Sequence, residues 1–241
     1  MSLNRPHTVG IAYLFQRKSG FPTNVSLRSG PVVQVRDWDD LTTVWHVWLA
    51  DEYLVPRECE TIVDLGANIG AFALWAAVRC PRATIYSVEP FPETYDILFE
   101  HVRKNGLESR VRCFQKAIGD HDGDVWFDAT PGKRSYCRNI VSESTPVERI
   151  RVPGLTLASF LDQCGLPTVD CIKMDIEGGE HALFASADVE TLRRAKVFTM
   201  EYHEPEKSKL IWERLKQAGF EQIAMRPNGW SGLATYRRVG E

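Results

Sequence analysis

The chain holds 241 residues, 44% hydrophobic and 25% charged, with a formal net charge of -3. That length fits one large domain, or one domain with a decorated end, and it buries enough surface to need no metal or disulfide staple. The slight negative balance offers no global attraction to a polyanion, so neither nucleic acid nor an anionic membrane is an expected partner.

The first 52 residues carry strand-like pieces at 9–15 and 32–35. Leu41, Val44, Trp45 and Trp48 then follow at helical spacing. They read as an N-terminal cap on the substrate side of a main domain covering 53–241. From Thr61 onward short apolar runs alternate with amphipathic stretches, the pattern of β-α units around a mostly parallel sheet. Strands are expected at 61–65, 83–88, 111–115, 169–175, 197–202 and 220–225, several buried on both faces. The clearest helix starts at Pro92, places Tyr95, Leu98, Phe99 and Val102 on one face and stops at Asn105 and Gly106. Another carries Ile211, Leu215 and Ala218 and closes at Gly219. A turn at Pro227, Asn228 and Gly229 joins the last two strands into a hairpin. The long loop from Pro131 to Pro146, with Lys133, Arg134 and Arg138, reads either as a lid or as an ordinary surface loop.

The six cysteines form no C-x-x-C pair and no zinc rhythm with histidine, so free thiols in a reducing, cytoplasmic setting are expected. The apolar run at 11–15 is too short for a signal peptide. No segment approaches the roughly 20 apolar residues of a membrane span.

Gly66 and Gly70 stand where a buried strand, Val63, Asp64, Leu65, must turn into a helix near Ala71, with Ala67 and Asn68 between them. Glycines there relieve the backbone and let a ligand approach. The spacing departs from the G-x-G-x-x-G fingerprint of pyrophosphate binders, which favours an uncharged nucleoside over a dinucleotide. The next strand ends in Glu89 and Pro90, placing a carboxylate where it can accept two ribose hydroxyls. Lys116 and Ala117, after the third strand, are candidates for lining the base.

In the fourth strand Lys173 and Asp175 share a face, since side chains alternate. Burying two charges costs too much unless they are paired or used. They read either as a structural Lys173–carboxylate pair or, with Glu177 at the strand mouth, as reactive groups. His203 ends the fifth strand and can take a proton near neutral pH. His7, His46, His101, His121 and His181 lack such a setting, and Glu180 is read as stabilising the helix that follows it.

With these residues in place, the chain resembles the FkbM-type family of S-adenosylmethionine-dependent methyltransferases over about Tyr53 to Tyr202. The likeness is carried by Val63 to Gly70, by Glu89 with Pro90, and by Ile172 to Glu180 as an I-K-x-D-x-E-G-x-E segment. It implies an α/β, Rossmann-like class I methyltransferase fold: a seven-stranded, mostly parallel sheet with an antiparallel C-terminal hairpin and helices on both faces. It also implies cofactor contacts from Tyr53, Asp64, Gly66, Ala67, Asn68, Gly70, Glu89, Pro90, Lys116, Ala117 and Asp175. The implied reaction is O-methylation of a small hydroxyl-bearing acceptor, often a sugar or secondary metabolite. Asp175 or His203 is then the base, with Lys173 setting the carboxylate's charge, and Glu177, Arg134 and Arg138 meet the substrate. No metal site is predicted, although Asp175, Glu177 and His203 could hold magnesium. A homo-oligomer stays open. The rival readings are a nicotinamide-dependent oxidoreductase and a non-catalytic nucleoside-binding module.

Overall fold

The computed structural model describes residues 21–27, 30–130 and 140–240. The run at 9–15, Arg134 and Arg138 lie outside them.

Among the described residues β1 (Thr23–Ser26) pairs antiparallel with β2 (Val32–Val35), and α1 (Trp38–Trp48) follows. Asp37 caps α1, its carboxylate accepting from the Asp39 and Asp40 amides. The central sheet then builds from β3 (Thr61–Leu65), α2 (Ala71–Arg79), β4 (Thr84–Val88), α3 (Pro92–Lys104) and β5 (Val111–Phe114). An inserted region gives β6 (Ala117–Gly119), β7 (Gly123–Asp128), β8 (Ile140–Val141), β9 (Arg149–Thr156) and α4 (Leu157–Gln163). The sheet resumes with β10 (Val169–Met174), α5 (Glu180–Ser186), α6 (Val189–Arg193), β11 (Ala195–His203), α7 (Lys209–Gln217), β12 (Phe220–Asn228) and β13 (Ser231–Arg238).

Seven strands lie in the order β12-β13-β11-β10-β3-β4-β5. β11, β10, β3, β4 and β5 pair parallel, and β13 runs antiparallel between β11 and β12. This is the expected Rossmann-like sheet with its antiparallel ending. Alternation along β3 sends Ile62 to one face and Val63 and Leu65 to the other, so each face carries its own core. On the first face α1, α2 and α3 supply Leu41, Trp75 and Leu98, with the α1 indole of Trp48 donating to the Ala71 carbonyl at 3.1 Å. The N-terminal strands and α1 are therefore packed into the same core as the sheet. His101 fastens them, donating from Nδ1 to the Ile69 carbonyl (2.6 Å) and accepting from the Gln34 amide at Nε2 (2.9 Å). On the second face Phe160, Phe184 and Leu215 come from α4, α5 and α7. Each such buried side chain contributes roughly 1.5–3 kcal/mol.

Two expectations are corrected. Residues 115–156 do not simply connect two strands: β6, β9, β7 and β8 form a separate four-stranded sheet, with β8 inside the presumed 131–146 loop. Pro227 and Asn228 belong to β12, paired with Gly232 and Ser231, so the tight turn falls on Gly229 and Trp230. Pro227 is tolerated because β12 is an edge strand. The five described cysteines are free thiols. Among the described residues no helix is long and apolar enough to cross a membrane.

Candidate functional site

Register places Ser87, Asp64, Lys173 and Thr199 at one level across four adjacent strands. Lys173 and Asp64 are buried, and Lys173 Nζ lies 3.2 Å from Asp64 Oδ1. The same ammonium donates to the Gly66 carbonyl at 2.7 Å, so the pair props the glycine turn from beneath. Burial presses the lysine toward neutrality, but Asp64 and Asp175 outweigh it and raise its pKa. Lys173 is thus a paired structural cation that reaches Asp175 through its field alone.

In the turn itself the Gly66 and Ala67 amides donate to the Val88 carbonyl at 3.0 and 2.9 Å. Gly66 sits at φ +74, and a Cβ there would stand 1.8 Å from the Asp175 carbonyl oxygen. Its glycine requirement therefore comes from the chain's own backbone as well as from any ligand. Gly70, at φ +84, has a different reason: a Cβ would press on Leu98 of α3 at 2.7 Å, and the residue does not line the cavity. Glu89, 4% exposed, accepts from the Asn68 amide at Oε2 (2.9 Å) and the Phe91 amide at Oε1 (3.1 Å). Burial pushes its carboxyl up to about 7, against those two amide hydrogen bonds. Each oxygen keeps a lone pair for a ligand hydroxyl.

Beyond the carboxyl ends of β3, β4 and β10 opens a cavity of about 320 Å³, lined by Gly66, Asn68, Glu89, Pro90, Lys116, Ala117, Asp175 and Glu177 among others. That volume suits a small ligand. The inserted sheet supplies Ile118, Val125 and Phe127 and the turn before α3 supplies Phe91, an apolar wall in which Phe91 and Phe127 meet edge to face at 5.0 Å. Glu89, Asp120, Asp175, Glu177 and Glu204 face it as carboxylates, against the ammonium of Lys116.

At the far end Asp175 Oδ2 accepts from the Tyr53 hydroxyl at 3.3 Å, while Oδ1 is sealed from solvent with no hydrogen-bond donor. Glu177, at φ +53, turns its carboxylate back to His203, with Oε2 3.3 Å from Nε2. The other imidazole nitrogen, Nδ1, lies 3.3 Å from Oε1 of the buried Glu180. Burial pulls His203 down, but Glu180, Glu177 and Asp175 overcome it and hold the pKa near about 9. Burial and Asp175 push Glu177 up, opposed by His203. Glu201 behaves likewise, its Oε1 3.9 Å from His203 Nε2.

The structure thus brings together Gly66, Asn68, Glu89, Pro90, Lys116, Ala117, Asp175 and Glu177, with Tyr53 and His203 adjoining Asp175 and Glu177. Asp64 and Lys173 lie underneath, and Ala67 and Gly70 do not line the cavity. His121, dismissed on sequence, does line it, and Glu180 takes the Ile176 amide (3.1 Å) and the His203 imidazole besides opening α5. Sequence reasoning missed Phe91, Phe127, Glu201 and Glu204. Alternation along 123–128 could have found Phe127; Glu204, at φ +50, shows no such signal.

The strand order, with its antiparallel seventh strand and a cavity at the carboxyl ends, defines a Rossmann-like methyltransferase fold. Within that class the chain belongs to the methyltransferase FkbM domain family, whose model matches residues 64–221. It is 27% identical over 172 residues to Methyltransferase sdnD of Sordaria araneosa, covering 60% of this chain and 66% of that protein. It is 27% identical over 206 residues to the 2-O-methyltransferase NoeI of Sinorhizobium fredii, covering 77% and 82%. Among solved structures it is similar to the methyltransferase FkbM of Methylobacillus flagellatus KT (TM-score 0.56, 15% identity, 80% of this chain and 47% of that one).

Proposed function

We propose that the chain is an S-adenosylmethionine-dependent O-methyltransferase acting on a hydroxyl of a small molecule, a sugar or a secondary metabolite. The observation that carries this reading is the sign of the cavity. Its lining sets the acidic groups Glu89, Asp120, Asp175, Glu177 and Glu204 against one ammonium, Lys116, a balance that disfavours a pyrophosphate and favours a sulfonium cation. That counts against a nicotinamide dinucleotide. Family membership favours an enzyme over a binding module, and the 2-O-methyltransferase among the relatives favours a hydroxyl acceptor.

The residues fit the cofactor. Glu89, buried and held by two amides, takes the ribose hydroxyls. Phe91, Ile118 and Phe127 pack against the base, and the bare backbone at Gly66 admits the ligand beside Asp175. When bound, S-adenosylmethionine supplies an electrophilic methyl group, so aligning the acceptor oxygen contributes much of the acceleration. Asp175, which lines the cavity, takes the acceptor's proton. With nothing bound between them, His203, the other candidate base, lies 3.3 Å from both Glu180 and Glu177, which raise its pKa, and it serves as their counter-charge.

Calorimetric titration with S-adenosylmethionine, its demethylated product and NAD tests this. Binding of the first two and not of NAD is expected, and Glu89→Gln should weaken both by roughly 10- to 100-fold, the loss of charged hydrogen bonds. Binding of NAD without S-adenosylmethionine overturns the reading.

A further inference from the structure

We propose that Asp175, Glu177 and His203 form a binding site for a divalent cation of the manganese or magnesium class at the acceptor end of the cavity. One ligand atom from each lies within 4.8 Å of the other two. Ligands about 2.1 Å from a shared ion stand at most about 4.2 Å apart, so adjustments of roughly half an ångström suffice. The imidazole is already oriented. His203 is 4% exposed, and its Nδ1 is anchored on Glu180, a fully buried carboxylate outside the ligand set that also takes the Ile176 amide. A carboxylate behind a histidine is the arrangement that fixes the tautomer and aims the other nitrogen at a metal.

A second observation is independent of how the acidic groups cluster. Asp175 Oδ1 is enclosed and lacks any hydrogen-bond donor, a burial that is costly unless something positive meets it. The nearest ammonium, Lys173, is committed to Asp64 and to the Gly66 carbonyl. A cation held by Asp175, Glu177 and His203 supplies that carboxylate with the positive partner it lacks.

The donor set narrows the ion. Carboxylates select magnesium, calcium or manganese, while imidazole favours transition metals, and manganese satisfies both. Three protein ligands leave positions open for an acceptor oxygen. An ion there lowers the proton affinity of that hydroxyl, so that a carboxylate becomes an adequate base. This role rests on the methyl-transfer reading; the ion site does not.

Titration of the full chain with manganese chloride, followed by electron paramagnetic resonance without S-adenosylmethionine, separates the two. We expect saturable uptake of a single ion, nitrogen modulation from the His203 imidazole, and binding weakened roughly tenfold or more in Glu177→Gln. Glu206→Gln, an exposed control, should leave uptake unchanged. No uptake at millimolar manganese, uptake without nitrogen modulation, or full uptake by Glu177→Gln overturns the site. The nitrogen signal is read in the unaltered chain and does not depend on any variant folding. The cofactor titration above judges methyl transfer separately.

Discussion

The two ends of the cavity are built on different principles. At the Glu89 end, proposed to take the nucleoside, position follows from sheet register. Ser87, Asp64 and Lys173 stand side by side on three strands, the Lys173–Asp64 pair supports the Gly66 turn, and Glu89 hangs from two backbone amides. At the opposite end, proposed for the acceptor, Asp175 and Glu177 lie past the end of β10, Glu177 takes a left-handed backbone, and His203 is wedged between carboxylates. One end is fixed by strand pairing and one buried ion pair. The other is held by a balance of charges, which solution conditions can shift.

The largest expected effect falls on the fixed end. Lys173→Met leaves the Asp64 carboxylate buried without its counter-ion, a loss of about 3–5 kcal/mol of stability. Urea denaturation measures it. Asp64→Asn added to Lys173→Met should recover most of that loss, because the uncompensated charge disappears. A single variant that unfolds at the wild-type urea concentration would show that the turn does not depend on the pair.

Next in size is the response of the acceptor end to pH. Glu177, Glu201 and His203 all have raised folded-state pKa values, so the folded chain binds more protons than the unfolded one. Stability then falls as pH rises. For His203 the contribution is complete below its ordinary value of 6.5 and is lost as pH passes about 9. For Glu177 the decline begins near the ordinary 4.5 and runs to about 8. Glu89, raised to about 7 by burial, adds a shorter step of the same sign at the other end. Melting temperatures taken between about pH 6 and pH 9 should therefore decline, and less steeply in Glu177→Gln. An unchanged slope in that variant would mean the acidic end is not held by charge.

This contrast also explains what could be read in the sequence. The fixed end was legible because a buried parallel strand writes its identity as an apolar run, and a charge inside it, such as Asp64 or Lys173, stands out. Gly66, Glu89 and Asp175 follow such runs directly. Gly70 was legible as a glycine but not for its reason, since its neighbour Leu98 lies a whole helix away in sequence. The inserted sheet was not legible: β6 and β8 span three and two residues, too short for a period-2 pattern, and β6 pairs with β9 more than 30 positions on. Glu180 looked like a helix-start acid, and only the fold brings His203 to it. Glu201 was hidden because alternation alone does not say which face of β11 meets the loop carrying Glu177.

The smallest expected effect sharpens where the acceptor end stops. Trp230, at the β12–β13 turn, is 69% exposed, yet its ring lies 5.2 Å from the His203 ring and its carbonyl accepts from the Glu204 amide at 3.0 Å. A rigid aromatic face beside carboxylates is a surface on which an acceptor with an apolar side and several hydroxyls can rest. Trp230→Ala removes little buried area, so stability should change by under about 1 kcal/mol. S-adenosylmethionine affinity should not change, because Glu89 and the Gly66 turn lie at the other end. With a methylated acceptor in hand, KM should rise several-fold while kcat holds, the mark of binding shared equally by ground and transition states. A fall in cofactor affinity would instead join the two ends into one unit. A fall in kcat at constant KM would place Trp230 behind His203, as a wall that keeps water from the charge balance.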